Sequence, residues 1–472
     1  MIIHVVQRGE TLWRISNRYQ VPISDIADVN ALPDSNKLAV GQSLVIPTYD
    51  EIHIVQAGEA LWMIAQRYGT TVDTIVLTNQ IVDPSRIYPG MKLRIPSQLH
   101  TVQPGEILWQ ISQRYQRSMR EIMRVNRIEN ANLIYPGTRL IIPKRKPIIE
   151  TNAFTYHSGA VATQMVGEVA EHLTYISPFA YVIQEDGSLQ LYMKDDRQAI
   201  QAGLAENARP MMSITNFTTT SAGENVAHEV LSSSENRERL LTNILAIMRE
   251  KGYEGLNVDF ENVLPADREL YNQFLVETVE RLHEAGYFVS TSLAPKISAE
   301  QKGLLYEAHD YEAHGRIVDF IVLMTYEWGY RLGPPRAISP LNEIKRVLDY
   351  ALTVIPKEKI MMGFQLYARD WTIPHQQGME AETFSPQEAV ARAIKYGATI
   401  EYDPVSASPY YRYMDEQGRN HEVWFEDARS AQAKFDLAKQ YGLLGISYWV
   451  LGYPYPQNWA LLEDNFTIRK LS

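Results

Sequence analysis

Two carboxyl groups on one face of a strand that otherwise reads as buried leave few folds open. In Gly255-Leu256-Asn257-Val258-Asp259-Phe260-Glu261, polar and apolar residues alternate, and side chains on a strand point alternately to opposite faces. Asn257, Asp259 and Glu261 therefore share one face, and Leu256, Val258 and Phe260 the other. Burying two carboxyls side by side costs several kcal/mol unless they are solvated or hydrogen-bonded. A solvent-facing edge strand would accept them, and so would the C-terminal mouth of a parallel α/β barrel, where active sites sit. The preceding residues favour the mouth, because 245–251 closes a helical pattern and Gly252 is placed to cap it.

The rest of this half of the chain agrees. Apolar, β-type runs at 149–156, 175–182, 210–216, 255–261, 288–294, 320–326, 360–366 and 444–449 alternate with helical patterns. The clearest helices fall at 237–251, 268–284, 341–354 and 428–441, with Gly286 and Gly442 closing the second and the last. Eight such strand runs over 149–472 predict an α/β fold, a (βα)8 TIM barrel. Excess length at about 371–427 predicts a small α+β insertion at the mouth. Its aromatic runs at 410–413 and 424–425 suit sugar stacking and a subdomain core equally.

Ahead of the barrel the chain repeats itself with a period of about 48 residues. His4-Val5-Val6-Gln7-Arg8-Gly9-Glu10-Thr11-Leu12-Trp13 returns with Gly58-Glu59 before Trp62, and with Gly105-Glu106-Ile107 before Trp109. Each copy passes through Arg-Tyr to an Asn (30, 79, 126) and closes on Ile-Pro. The pattern predicts three βααβ units at 1–48, 51–97 and 99–144, each too small to hold a large core. A basic stretch with a proline, 144–147, predicts a short hinge before the barrel. One His per unit (His4, His53, His100) at a strand start reads as structural, so no metal site is expected.

Composition narrows the partners. A net charge of -11 argues against nucleic acid, and no apolar run reaches the length of a membrane span. With no cysteine, disulfides and thiolate metal sites are excluded. The N-terminus shows no secretory signal peptide. No Ser/His/Asp elbow, P-loop, dinucleotide or zinc motif is present, and no cofactor is expected.

The repeats resemble LysM modules, which bind N-acetylglucosamine glycans such as peptidoglycan and chitin. That resemblance implies grooves formed by Gly9, Glu10, Thr11 and Leu32, by Gly58, Glu59 and Ile81 with Gln80, and by Gly105, Ile107 and Ile128. The third groove departs from the pattern at Ile107 and Arg127. The run Glu254 to Glu261 resembles the DGxDxDxE signature of family 18 glycoside hydrolases, with Glu254 and Asn257 in place of two aspartates. In that family Glu261 would be the general acid, Asp259 would orient the substrate's acetamido group, and Tyr326 would donate to its oxygen. Asn257 would adjust the catalytic carboxyls, and Trp449 would floor the cleavage subsite. Ser213, Glu327, Tyr367 and Arg369 would line the cleft, although Thr215-Asn216 stands where the family has two glycines.

LysM modules ahead of such a barrel are similar to the cortex-lytic N-acetylglucosaminidases of bacterial endospores. The resemblance implies a retaining, substrate-assisted hydrolase of cortex peptidoglycan acting at germination. It also implies a spore location and coat proteins as further partners. The rival expectations are a chitinase and a non-catalytic glycan-binding coat protein.

Overall fold

In the computed structural model all residues are described except Tyr49, Gly69, Gln80, Lys144, Arg145, Thr219, Thr220 and Ser472. The predicted hinge at 144–147 and the Gln80 edge of the second groove thus fall partly outside the described residues. The chain divides into two compact units. Met1–His4, Gly9–Asn36 and Leu44–Lys146 form the first, and Val5–Arg8, Lys37–Ser43 and Pro147–Ser472 the second.

In the second unit, Ile148–Thr155, Tyr175–Pro178, Arg209–Thr215, Gly255–Asp259, Phe288–Leu293, Phe320–Leu323, Ile360–Gln365 and Gly445–Trp449 pair in that order. All pairings are parallel, and the last strand pairs with the first, closing a barrel of eight strands. The helices start and stop where local chemistry dictates. The Ser233 side chain accepts from Asn236 N to open Ser234–Lys251, and Gly252 closes it at φ 77, a left-handed conformation that favours glycine. Asp427 caps Ala428–Tyr441 by accepting from Arg429 N and Ser430 N.

Three expectations shift. The second strand breaks after Pro178, whose ring nitrogen has no hydrogen to continue a ladder, and resumes as Tyr181–Ile183. The fourth and sixth strands stop at Asp259 and Leu323, so Glu261 and Tyr326 stand beyond the ladders on the mouth loops. The insertion starts earlier than expected, at Ala368, the first residue of a five-stranded antiparallel sheet. The sheet runs in the order Glu382–Phe384, Ala368–Ile373, Asn420–Trp424, Ser408–Met414, Glu401–Asp403. Its aromatics divide by strand alternation. Tyr411 and Phe425 are buried with Phe384 and Val423, while Tyr410 stacks on Trp424 at 4.7 Å.

In the first unit each module is strand, helix, helix, strand. The asparagines at 30, 79 and 126 explain why the pattern repeats. Each donates to a carbonyl in the preceding helix (Ile26, Ile75, Ile122) and to one on the returning strand (Val45, Arg94, Ile141). Each also accepts from that strand residue's N–H, at 2.7 to 2.8 Å. The side-chain amide thus stands in for a peptide group and joins the helix to the strand.

Candidate active site

The barrel interior holds a layer of small polar side chains. Asn152 accepts from Ser177 Oγ (2.7 Å) and donates to Ser447 Oγ (3.0 Å). Asn257 donates to Ser290 Oγ (3.0 Å) and accepts from Ser292 Oγ (3.1 Å), and it is fully buried. Ser213, in register with Asn257 on the adjoining strand, is fully buried too. Asn257 thus lies beneath the carboxyl-bearing end of its strand with its amide bonded to two serines, and Ser213 is enclosed in the barrel interior beside it.

Above this layer the two carboxyls stand with few partners. Asp259 is 4% exposed, and its Oδ1 has no hydrogen-bond partner among the described residues. Burial, and then the charge of Glu261, hold its carboxyl well above the usual range. Glu261 is pushed up to about 7, first by burial and then by the charge of Glu327. A carboxyl that keeps its proton near neutral pH is suited to act as a general acid. Tyr326 lies within reach of all three carboxylate charges, and burial together with those charges raises its phenol well above the usual value. Gly363 makes room for its ring, since a Cβ there would lie 2.8 Å from Tyr326 Cε1 and 2.5 Å from Leu323 O.

Arg369 and Glu327 form a second cluster. Glu327 takes φ 69, uncommon for a residue with a Cβ. Its carboxylate accepts from Arg369 Nη2 (2.8 Å) and Nη1 (2.9 Å), and from the Tyr367 hydroxyl. Arg369 also donates to Gly329 O, and its side chain is 6% exposed. These bonds let the guanidinium hold Glu327 in place, while Arg369 Nε is buried with no hydrogen-bond partner among the described residues. Tyr367 is likewise buried, packed with Trp371 and Ile338 and edged by Trp424, Trp449 and Tyr453. Trp449, at the end of the last strand, is half-buried and braced by Phe179 at 4.9 Å and Phe154 at 5.5 Å.

Trp424, from the insertion whose aromatics suit stacking and core equally, joins this aromatic wall, as does Tyr453, which sequence reasoning passed over because nothing local distinguishes a wall aromatic from a core aromatic. Asn216, noted in the sequence only as a departure from the family's glycines, accepts from Glu261 N at 3.0 Å.

In the modules, Gly9, Gly58 and Gly105 all take left-handed φ near 80, and Thr11 caps its helix by accepting from Arg14 N. Leu32, Ile81 and Ile128 are half-buried, the last two packed on their module cores, and Ile107 is exposed. Glu10 and Glu59 are engaged within their own modules. Glu10 bonds His4 Nε2 (2.8 Å) and Arg18 Nη2 (2.9 Å), and Glu59 bonds His53 Nε2 (2.7 Å) and Arg67 Nη1 (2.7 Å). Both are about nine-tenths buried, so they hold the fold together. Among the described residues one group, Glu171, His172 and Glu463, has the spacing of metal ligands. Glu171 and His172 lie just before the second barrel strand, and Glu463 comes from the helix Pro456–Asn465 that follows the last.

Among the described residues no helix is long and apolar enough to cross a membrane. Residues 4–47, 53–96 and 100–143 match the LysM domain, and residues 155–453 match the family described as Glycosyl hydrolases family 18. The chain is 44% identical over 475 residues to the cortical fragment-lytic enzyme of Bacillus subtilis (strain 168), covering 100% of this chain and 99% of the relative. It is similar to the crystal structure of the Bacillus megaterium QM B1551 spore cortex-lytic enzyme SleL. That match has a TM-score of 0.68 and 36% identity, covering 90% of this chain and 100% of the other. A class V chitinase from tobacco, at 16% identity and TM-score 0.56 over 67% of this chain and 98% of the other, shares the fold. With a closed barrel, its family match over most of that barrel and three LysM domains ahead of it, this chain belongs to family 18 of the glycosyl hydrolases.

Proposed function

We propose that the protein is a cortex-lytic N-acetylglucosaminidase, bound to spore peptidoglycan by its LysM domains and active during germination. The observation that carries this reading is the carboxyl pair at the mouth, Asp259 buried with a partnerless Oδ1 and Glu261 pushed up to about 7, so that much of it keeps its proton near neutral pH. On this reading Glu261 gives its proton to the glycosidic oxygen as the C1–O bond breaks, and the substrate's acetamido oxygen attacks C1 from the opposite side. Asp259 takes a hydrogen bond from the acetamido N–H, the partner its Oδ1 lacks, which favours the ionised form it needs. Tyr326 donates to the acetamido oxygen, and Trp449 stacks beneath the ring. Glu261, now a carboxylate, then takes a proton from the water that attacks C1 as the bond from C1 to the acetamido oxygen breaks, and the configuration is retained.

The full-length likeness to a cortical fragment-lytic enzyme favours cortex over chitin and supports a spore location. Coat proteins are the expected neighbours there. A non-catalytic coat protein would have no need of a raised general acid, which disfavours that rival. The test is digestion of purified cortex and of chitin oligomers side by side, with products read by mass spectrometry. New N-acetylglucosamine reducing ends from cortex support the proposal. Release from chitin alone would favour the chitinase reading, and release from neither would sink both.

A further inference from the structure

The ladder between the third and fourth barrel strands ends at the pair Thr215 and Asp259, two residues short of Glu261. The backbone carrying Glu261 continues without strand pairing, yet it is held from both sides. On one side is the Asn216 side chain, 2% exposed. Its Oδ1 accepts from Glu261 N (3.0 Å), and its Nδ2 donates to Asn262 O (3.3 Å) and to Gly223 O (3.2 Å). One amide thus supplies both a carbonyl and an N–H to the backbone of successive residues, 261 and 262. Asn262 returns the link by donating to Ala222 O at 3.0 Å. Glycine is required at 223, where φ is 80 and a Cβ would fall 1.9 Å from Asn216 O.

On the other side is His309, fully buried. Ala294 N donates to its Nδ1 (2.9 Å), so the ring hydrogen sits on Nε2, which donates to Phe260 O (2.9 Å). Burial lowers its pKa to about 4, so this neutral tautomer persists at working pH.

We infer that Asn216, with His309 opposite, clamps the peptides of residues 260–262 and so positions the Glu261 carboxyl. Asn216 is a positioning residue that touches no substrate. The inference rests on the reading of Glu261 as the general acid. Misplacing a reacting group by about 1 Å costs roughly 10²-fold in rate, whereas substrate affinity set by the aromatic wall is untouched.

The test uses the full-length enzyme on soluble cortex fragments, with kcat, KM and Tm measured together. Asn216→Ala is expected to lower kcat by roughly 10–100-fold with KM and Tm near wild type. Asn216→Asp keeps the oxygen that accepts from Glu261 N but replaces the donor to Asn262 O and Gly223 O by a second oxygen, and is expected to lower kcat as well. If Asn216→Ala does not fold, Asn216→Gly is expected to show the same loss of kcat. In a Glu261→Gln background neither substitution should lower the residual rate further. Wild-type kcat in Asn216→Ala or Asn216→Gly would overturn the clamp, as would a further loss in the Glu261→Gln background. Full turnover by Glu261→Gln alone would instead overturn the general-acid assignment.

Discussion

Glutamates in the LysM modules and at the barrel mouth are both removed from solvent, yet they meet opposite surroundings. Glu59 and Glu106 are each bonded by a histidine and an arginine. Backbone N–H groups, from Gln56 and Gln103, are the main cause holding their carboxyls below the usual range. No cation is bonded to Glu261 among the described residues, and burial together with the charge of Glu327 pushes its carboxyl up to about 7. The difference teaches how to separate structural carboxyls from reactive ones. A buried carboxylate with every lone pair engaged braces the fold, and one left short of partners has a proton to give. Asparagine, by contrast, does one job in both regions. At 30, 79, 126 and 216 its amide extends or joins backbone hydrogen bonding.

The largest test of that contrast is Glu261→Gln. Loss of a general acid is expected to lower kcat on soluble cortex fragments by about 10²–10⁴-fold, with glycan binding by the modules unchanged in a pull-down. The substitution should also stabilise the barrel at neutral pH. An acid whose folded pKa is raised loses stability as pH climbs from its unfolded value toward about 7. Removing it should therefore raise Tm at pH 8 and leave it unchanged at pH 4. A Tm that falls at pH 8 would mean that Glu261 is bracing after all.

Next in size is Arg369→Met, which strips the cation from Glu327. Breaking a buried pair costs about 3–5 kcal/mol, and because Glu327 is one-third exposed the loss should be nearer 2–3 kcal/mol by urea titration. With the guanidinium gone, the Glu327 charge acts more strongly on Glu261. The basic limb of kcat against pH should move above its wild-type position near 7. A limb that stays put would uncouple Glu327 from the acid.

Asn257→Asp should have a smaller effect, moving the acidic limb upward by about one pH unit. It places a second ionisable group beneath Asp259, whose carboxyl must ionise for the reaction. A downward shift would break the argument that residue 257 is felt at 259.

Smallest is Glu106→Gln in the third module. A lowered glutamate stabilises above its unfolded pKa and ceases to do so as pH falls through its folded value. The variant should melt earlier than wild type at pH 7 and alike at pH 3, followed by the fluorescence of the exposed Trp109. Equal melting at pH 7 would show that its ring and guanidinium partners add nothing.

Much of this was legible in the sequence because it is encoded locally. Alternation at 255–259 put Asp259 on the inner face of a strand, the helices at 268–284 and 428–441 ended where their periodicity and caps said, and the modules announced themselves by repetition. Periodicity records which side chains are buried, since burial recurs with the turn of a helix or the pleat of a strand. It does not record which buried group meets which. That Arg369 would close on Glu327, that Asn257 would settle between two serines, and that Asn216 and His309 would meet the peptides around Glu261 depended on bringing distant residues together. Only the closed barrel does that, because hydrogen bonds and charge pairs act over a few ångströms, and chain order says little about which groups come within that range.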